Sequence, residues 1–347
     1  MAQYKLNKFH FHFIDDEGWR IAIAALPELT AVGANRSASF ADGLSIQPAY
    51  GSGVKTDAAQ YLTRNDFVEL LKYAAERHVT VVPEIETPGH GRAAIKAMEA
   101  RYHRFMKSGN KAEAERYLLH DFADSSVYNS AQNWNDNVIN VALPSTYTFL
   151  STVIDEFKSM YADAGVPLRK VSLGGDEVPN GVWEKSPKIK QLMDSLSLPS
   201  VNAVWPYYVK KLQALSEAKG IDMAGWEEFG MVNQGKGMQV NPALAGTSMQ
   251  LDVWNNVIGG GQEDLAYKLA NAGYKTVLIS STNYYFDMAW NTNFMEPGLK
   301  WATYADLYHS YTLLPENFFA NIQLTKKGKE LGAAYFQTKE KLTEKGK

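Results

Sequence analysis

The stretch Val171-Ser172-Leu173-Gly174-Gly175-Asp176-Glu177-Val178-Pro179 begins as a short apolar run and ends in two glycines and two acids. Successive side chains of a strand point to opposite faces of a sheet, so Asp176 and Glu177 can share a site only if the strand ends before them. The glycine pair allows the backbone to turn there. The stretch therefore predicts a buried strand whose carboxyl end presents an acidic pair.

Apolar runs of strand length alternate with helical patterns along the rest of the chain. We predict strands at Lys8–Ile14, Val79–Ile85, Val171–Gly174, Ile221–Ala224, Met249–Val253 and Thr276–Ile279. We predict helices after the capping residue Thr63, over Val201–Ala218 and over Asp264–Ala272, the last two stopped by Gly220 and Gly273. Alternation of strands and helices is typical of an α/β fold with parallel strands.

Polar or aromatic clusters follow these strands, at the points where the strands end. They are Asp15-Asp16-Glu17, Glu86-Thr87-Pro88-Gly89-His90, Asp176-Glu177, Trp226-Glu227-Glu228, Trp254-Asn255 and Tyr285-Phe286-Asp287. In a β/α barrel the carboxyl ends of the strands converge on the face that holds active sites. Barrel stability does not require polar groups there, so the series of clusters indicates a site. For any single cluster, a solvated loop or a structural turn remains the alternative.

Composition excludes several classes of function. The formal net charge is −3 and no long run of one sign occurs, so the basic surface of a nucleic-acid-binding protein is missing. The chain has no cysteine, which excludes thiol catalysis and disulfides. No apolar run is long enough to span a membrane, and the start Met1–Lys5 is not a signal peptide. The histidines lack metal-ligand spacing, so we predict no metal and no cofactor.

Other segments carry weaker expectations. Ala31–Gln60 is rich in Gly, Ser and Ala, and we predict a loop there. Lys107–Asn140 is polar, and we predict that it begins as a helix and ends as a loop. Both segments either shape a cleft or decorate the surface. We interpret His10 and His12, within the first strand, as packing residues. We predict that Thr338–Lys347 is a charged helical tail.

The chain resembles family 20 glycoside hydrolases, the β-N-acetylhexosaminidases and chitobiases. The matching segments are Lys5–Arg20, Val82–His90, Gly174–Glu177, Gly225–Glu228 and Tyr285–Asp287, in the order of the family. The resemblance implies a (β/α)8 TIM-barrel type of fold, and it covers nearly the whole chain. We accordingly expect residues 1–347 to form a single catalytic barrel domain.

The resemblance also implies a reaction. The substrate is an oligosaccharide or glycoconjugate with a terminal, non-reducing β-linked N-acetylhexosamine, and hydrolysis retains the anomeric configuration through attack by the sugar's own acetamido oxygen. Glu177 would be the acid and then the base. A pair of adjacent carboxyls tends to raise one pKa, and we expect a protonated Glu177 beside an ionised Asp176 that handles the acetamido group.

The resemblance assigns roles to other residues as well. Tyr285 would donate its hydroxyl to the acetamido oxygen, and Asp15 and His90 would set the proton affinity of Glu177. The substrate-binding residues would be Trp226, Trp254, Asp287 and Glu228. Family members are often periplasmic, secreted or lysosomal, so the resemblance points to a periplasmic or extracellular location without deciding it.

The visible strands match the second to seventh of the family. We find no counterpart of the first strand, with its sugar-binding arginine, or of the last strand, with its Trp-x-Glu element. We therefore expect a barrel truncated at both ends: a fragment of a longer product, a chain completed by a partner, or a rearranged shorter barrel. Missing sugar contacts remove binding energy that orients the substrate, so we expect weak or absent turnover by the isolated chain.

Two other classes of function stay open at this point. The chain could be a barrel that binds N-acetyl sugars without turnover. It could also be a different sugar-cleaving barrel that uses a carboxylate nucleophile, for which the acetamido group would be dispensable.

Overall fold

The computed structural model describes residues 1–36, 45–46, 60–235, 237–320, 325 and 328–347. The chain divides into two compact units, Met1–Met223 and Ala224–Lys347, which we call unit 1 and unit 2. Most of the predicted loop at Ala31–Gln60 lies outside the described residues. None of the helices in the described chain combines the length and the apolar character needed to cross a membrane.

Unit 1 alternates strands with helices. Its strands are β1 (Lys8–Phe11), β2 (Ile14–Asp15), β3 (Gly18–Trp19), β4 (Thr80–Pro83), β5 (Lys170–Ser172) and the start of β6 (Asp222–Trp226). Its helices are α1 (Glu28–Ala31), α2 (Arg64–Ala75), α3 (Arg92–Lys107), α4 (Lys111–Glu115), α5 (Pro144–Asp163), α6 (Pro187–Leu196) and α7 (Val204–Ala218), with short 3-10 turns at Ala2–Tyr4 and Val201–Ala203.

Parallel pairing places the ends of three strands of unit 1 side by side. β1 pairs with β4 in a register that sets His10 opposite Val82. Beyond that ladder, Glu84 bridges to Ser172 of β5 in the parallel sense, and the Ile85 N–H donates to the Ser172 carbonyl over 2.9 Å. The carboxyl ends of β1, β4 and β5 therefore lie together, and the segments that follow them meet.

Helices α2 and α5 cover the strands of unit 1 through an aromatic core. The Phe67 ring lies 5.9 Å from the Phe13 ring and 5.7 Å from the Phe157 ring, all between ring centroids. The Tyr161 hydroxyl of α5 donates to the Val81 carbonyl over 2.9 Å. Each fully buried Phe side chain contributes roughly 1.5–3 kcal/mol, so this cluster holds the helices on the sheet.

Unit 2 repeats the pattern with fewer helices. Its strands are the end of β6, β7 (Met231–Asn233), β8 (Met238–Val240), β9 (Gln250–Val253) and β10 (Lys275–Leu278). Its helices are α8 (Leu265–Ala272), α9 (Ser281–Tyr284), α10 (Leu307–Tyr311) and α11 (Ala333–Gln337), with 3-10 turns at Glu227–Gly230, Pro242–Leu244 and Phe318–Ala320. β6, β9 and β10 pair in parallel, while β7 and β8 form an antiparallel hairpin.

These elements confirm the predicted α/β class. All six predicted strands are present, and the predicted helices are α2, α7 and α8 with the Val201–Ala203 turn. Thr63 caps α2 through a reciprocal pair of bonds with Asp66, and Gly273 ends α8 with φ 103°. The first strand is shorter than predicted because the chain leaves the sheet after Phe11 and forms the β2–β3 hairpin.

The prediction of a helical tail at Thr338–Lys347 is wrong. The last helix, α11, ends at Gln337. The tail instead runs along α8, where the Asn271 side chain donates to the Lys341 carbonyl over 2.8 Å and accepts from the Thr343 N–H over 2.9 Å. Those bonds use backbone groups that a helix would have paired internally.

Candidate active site

The acidic pair stands where β5 has already ended. β5 stops at Ser172, and Gly174 and Gly175 take φ values of 66° and 102°, which turn the chain away from the sheet. Glu177 has a φ of 49°, the left-handed conformation that non-glycine residues rarely adopt. The glycine turn predicted from the sequence therefore does occur, and the two carboxylates do not alternate across a sheet.

The segment after β4 closes against the acidic pair. A Cβ added to Gly89 would lie 2.8 Å from the Asp176 carbonyl oxygen, so only glycine permits this close approach. His90, the next residue, also has a left-handed φ, of 49°. Strained backbone at two facing site residues is the kind of feature that clusters at functional centres.

His90 connects the carboxylates of the two segments that flank it. Its Nδ1 lies 3.1 Å from Asp15 Oδ1 and 3.4 Å from Asp16 Oδ2. Its Nε2 lies 3.5 Å from Asp176 Oδ2 and 3.4 Å from Glu177 Oε2. Burial opposes a charged imidazole, but hydrogen bonds with Asp15, Asp16 and Glu177 outweigh it and hold the pKa of His90 far above its usual value. Four carboxylates around one imidazole therefore favour its protonated form, the imidazolium.

The pKa values of the acidic pair are the reverse of our expectation. Burial, with the nearby charges of Glu84 and Glu177, raises the pKa of Asp176 to about 6 despite the opposing effect of His90. The His90 hydrogen bond, helped by Gln132, lowers the pKa of Glu177 despite its partial burial. The expectation of a protonated Glu177 beside an ionised Asp176 is therefore wrong for the unliganded site, because the imidazolium lies against the Glu177 carboxylate.

His12 and His10 are not packing residues, and that interpretation is wrong. His12 Nδ1 lies 2.7 Å from Glu84 Oε2, and its Nε2 lies 3.1 Å from Asp15 Oδ2. His10 Nε2 lies 3.1 Å from the same Glu84 oxygen. Glu84 is fully buried, and a buried carboxylate needs a cationic or hydrogen-bonding partner. Burial alone would raise the pKa of Glu84, but the two histidines lower it to about 2.

Glu86 lies deeper in the same cluster. Burial, followed by the charges of Asp176 and Glu84, raises its pKa well above the usual value. A Cβ on Gly174 would meet Glu86 Oε2 at 2.2 Å and the Thr87 nitrogen at 3.1 Å. The bend that presents the acidic pair therefore exists only because residue 174 leaves room for this buried carboxyl group.

Three groups of side chains in the described chain bring ligand atoms within 4.8 Å of one another, close enough for a metal ion. They are His12-Glu84-Glu86, Asp15-Asp16-His90 and His90-Asp176-Glu177. In each group a histidine nitrogen already lies at hydrogen-bond or ion-pair distance from a carboxylate oxygen. We interpret all three as proton-sharing groups.

Unit 2 assembles its own aromatic cluster at the ends of β9 and β10. The Ser281 N–H donates to the Trp254 carbonyl over 3.0 Å, which holds the two strand ends together. The Trp301 ring lies 5.7 Å from the Trp254 ring and 5.8 Å from the Tyr285 ring, with edge-to-face geometry in both pairs. Trp301 returns to this place because the Leu299 N–H donates to the Asp287 carbonyl over 2.6 Å.

The cluster after β6 contains one buried residue, Glu227, and two partly exposed residues, Trp226 and Glu228. Both carboxylate oxygens of buried Glu227 accept backbone N–H bonds, from Trp254 over 3.0 Å and from Asn255 over 3.1 Å. Glu227 therefore fixes the segment after β9. Trp226 and Glu228 are half-buried beside it, and the side chain of Asp287, after β10, is exposed.

Comparison with known families decides what this arrangement belongs to. Residues 1–342 match the profile described as "Glycosyl hydrolase family 20, catalytic domain". The chain belongs to glycosyl hydrolase family 20. A β-hexosaminidase of Vibrio vulnificus is 38% identical over 93% of this chain and 38% of its own length. The N,N'-diacetylchitobiase of Vibrio harveyi is 33% identical over 93% of this chain and 40% of its own length.

Solved structures of the family agree. An exo-β-N-acetylglucosaminidase of Vibrio harveyi, in complex with N-acetylglucosamine, is similar with a TM-score of 0.72 and 32% identity, covering 90% of this chain and 42% of that one. The chain thus spans about two fifths of the length of these relatives. The prediction of an α/β fold of the (β/α)8 type with an incomplete set of strands is confirmed at the level of fold class.

Sequence reasoning missed several residues of the site. His12, Asp16 and Gln132 each contact a predicted site residue, and Glu84 contacts His12. The signal for Glu84 was present, because an acid inside an otherwise apolar strand end needs a buried partner. Gln132 and Trp301 carry no such signal, since only tertiary contacts bring them near Glu177 and Tyr285 respectively.

We predict that Gly174→Ala destabilises unit 1 more than Gly220→Ala does. The two glycines have φ values of 66° and 68°, but only Gly174 has atoms within 4 Å of an added Cβ. Left-handed backbone should cost about 1–2 kcal/mol in both variants. The clash with buried Glu86 should add about 1–3 kcal/mol for Gly174→Ala. Urea unfolding of both variants measures the difference, and equal losses would contradict the clash.

Proposed function

We propose that this chain carries the catalytic centre of an enzyme that removes a terminal, non-reducing β-linked N-acetylhexosamine from an oligosaccharide or glycoconjugate. We propose further that the acetamido oxygen of the substrate is the nucleophile. The observation that carries the proposal is the buried His90, paired with the partly exposed Asp15 and in contact with Asp176 and Glu177 at the end of β5. The named activities of the Vibrio relatives support the choice of sugar.

Glu177 is the proposed acid and base. Its low pKa in the unliganded site does not prevent this role. His90, 3.4 Å away, carries a proton that it can share with Glu177, so the two groups titrate as a pair. A sugar that excludes water from Glu177 would disfavour the carboxylate and draw the proton towards it. Glu177 then protonates the leaving oxygen, and as a carboxylate it later takes a proton from the attacking water.

Asp176 is the proposed partner of the acetamido group. An ionised Asp176 would accept a hydrogen bond from the acetamido N–H and offset the positive charge that develops in the cyclic intermediate. Because burial raises its pKa to about 6, Asp176 changes its protonation state just below neutral pH. Asp15, whose pKa His12 and His90 lower against the effect of burial, stays ionised and keeps His90 charged.

The roles of the unit 2 residues rest on the family resemblance. We assign to Tyr285 the hydroxyl that donates to the acetamido oxygen, and to Trp226 and Trp254 the aromatic walls around the sugar. Asp287 and Glu228 are assigned to sugar hydroxyls. That residues 1–347 form one barrel domain, and that a partner chain or further segment completes it, stay predictions.

The use of the acetamido oxygen predicts a strict substrate requirement. Aryl β-N-acetylglucosaminide should be cleaved, whereas the matching aryl β-glucoside, with hydroxyl in place of acetamido, should be cleaved at least about a thousandfold more slowly because the internal nucleophile is gone. Release of the aryl alcohol measures both rates. Comparable rates would instead support a carboxylate nucleophile on the protein.

Ionisation of Asp176 predicts an acid limb in the pH profile. Because the raised pKa keeps Asp176 protonated below pH 6, kcat/KM should fall about tenfold per pH unit there and level off above it. The measurement is kcat/KM for the aryl N-acetylglucosaminide across this range. Asp176→Asn should lower the plateau and remove the limb, and a variant that keeps the same limb would show that another group titrates.

Proton donation by Glu177 predicts a dependence on the leaving group. Glu177→Gln should lower cleavage of a chitobiose-type substrate by about 10²–10⁴-fold, since its sugar leaving group needs the proton. A nitrophenyl leaving group should suffer much less. Glu184→Gln, at an exposed acid of the same unit, is the control for loss of one charge. Equal, modest losses on both substrates would remove Glu177 from the role of acid.

A further inference from the structure

Besides its ion pair with His90, Glu177 accepts a hydrogen bond from a residue outside the strand ends. The Gln132 side-chain nitrogen donates to Glu177 Oε2 over 2.9 Å. Gln132 lies in the long connection between α4 and α5, far from Glu177 in sequence. His90 Nε2 lies 3.4 Å from the same oxygen. Two side chains from different segments therefore lie at one oxygen of the proposed acid, Gln132 as a hydrogen-bond donor and His90 at ion-pair distance.

The turn that presents Gln132 is well defined. The Ser130 N–H donates to the Trp134 carbonyl over 2.7 Å, and the Trp134 N–H returns a bond to Ser130 Oγ over 3.0 Å. Asn133 takes a left-handed φ of 66°, and its side chain accepts from the Asn129 side chain over 2.9 Å. The bonds close a tight turn with Gln132 at its tip.

The turn is also anchored to the segment that carries His90. The Gly91 N–H donates to the Asn137 carbonyl over 2.9 Å, and the Asn137 side chain donates to Asp16 Oδ2 over 2.9 Å. The Arg92 guanidinium lies 4.0 Å from the centre of the Trp134 ring. Gln132 and His90 therefore approach Glu177 from one connected framework.

We propose that Gln132 is a positioning residue that holds Oε2 of Glu177 and favours its carboxylate form. The catalytic consequence rests on the proposed function. A donor that stabilises the carboxylate makes the neutral form a stronger acid towards the leaving oxygen, and it keeps the carboxylate in place when it acts as a base.

Gln132 does this without carrying a charge, which distinguishes it from His90. The charged groups that face Glu177 are the imidazolium of His90 and the carboxylates of Asp15 and Asp176. The interaction of His90 with Glu177 weakens when His90 loses its proton. The amide N–H of Gln132 does not ionise, so Gln132 can donate the same hydrogen bond at every stage of the reaction.

The test measures the pKa of the Glu177 carboxyl directly and needs no turnover. The probe is the carbon-13 signal of glutamate carboxyls in the labelled protein, with Glu177 identified by its absence from Glu177→Gln. Gln132→Met, which removes the donor at similar size, should raise the pKa of Glu177 by about half a unit or more. Gln132→Glu should raise it further, because a second carboxylate then faces the first.

Asn129→Ala is the matched control, because it removes a bond within the same turn but does not contact Glu177. It should leave the Glu177 titration unchanged. An unchanged Glu177 pKa in both Gln132 variants would overturn the proposal. So would an equal shift in Asn129→Ala, because the turn as a whole would then be responsible.

Rates separate this inference from the proposed function. If the Glu177 pKa rises in the Gln132 variants and cleavage of poor leaving groups slows more than cleavage of a nitrophenyl substrate, both are supported. If the pKa rises while the rates on both kinds of substrate stay unchanged, Gln132 positions Glu177 as proposed, and Glu177 is not the acid.

Discussion

The site depends on one buried cation, the imidazolium of His90, placed among the carboxylates of Asp15, Asp16, Asp176 and Glu177. Without it, several partly buried acids would repel one another at short distance, and most would have to take up protons. With it, the cluster can keep negative charge in the interior. His90 lies almost equally close to Asp176 and Glu177. Their pKa values shift in opposite directions because burial dominates at Asp176, whereas hydrogen bonds with His90 and Gln132 outweigh burial at Glu177.

The backbone is shaped to bring these groups to His90. Three strand ends lie together because β1, β4 and β5 run parallel, and the segments after them turn sharply at once. The chain makes these turns through positive φ values at His90 and Glu177 and through the absence of a side chain at Gly174. Such conformations persist only where the surroundings over-determine them, and here the buried carboxyl of Glu86 and the ion pairs of His90 do so.

His12 and Glu84, behind Asp15, help to fix the protonation states of the site. His12 lies between Glu84 and Asp15, so Asp15 has a cation on each side and stays ionised. The result is a continuous chain of alternating acids and histidines from Glu84 to Glu177. In unit 2, Glu227 fixes the segment after β9 by accepting hydrogen bonds from two backbone N–H groups, those of Trp254 and Asn255. Trp301 packs against Trp254 and Tyr285.

The sequence by itself determined the α/β class, the positions of the six main strands and the clusters that follow them, because strand length, glycine stops and polar strand ends are local patterns. The segments Lys5–Arg20 and Gly174–Glu177 also carried the family. Only the tertiary structure decided that His12 pairs with Glu84, that Glu177 and not Asp176 has the lowered pKa, and that Gln132 reaches Glu177. Proton affinity and side-chain pairing depend on burial and on charges from distant segments, which no local pattern contains.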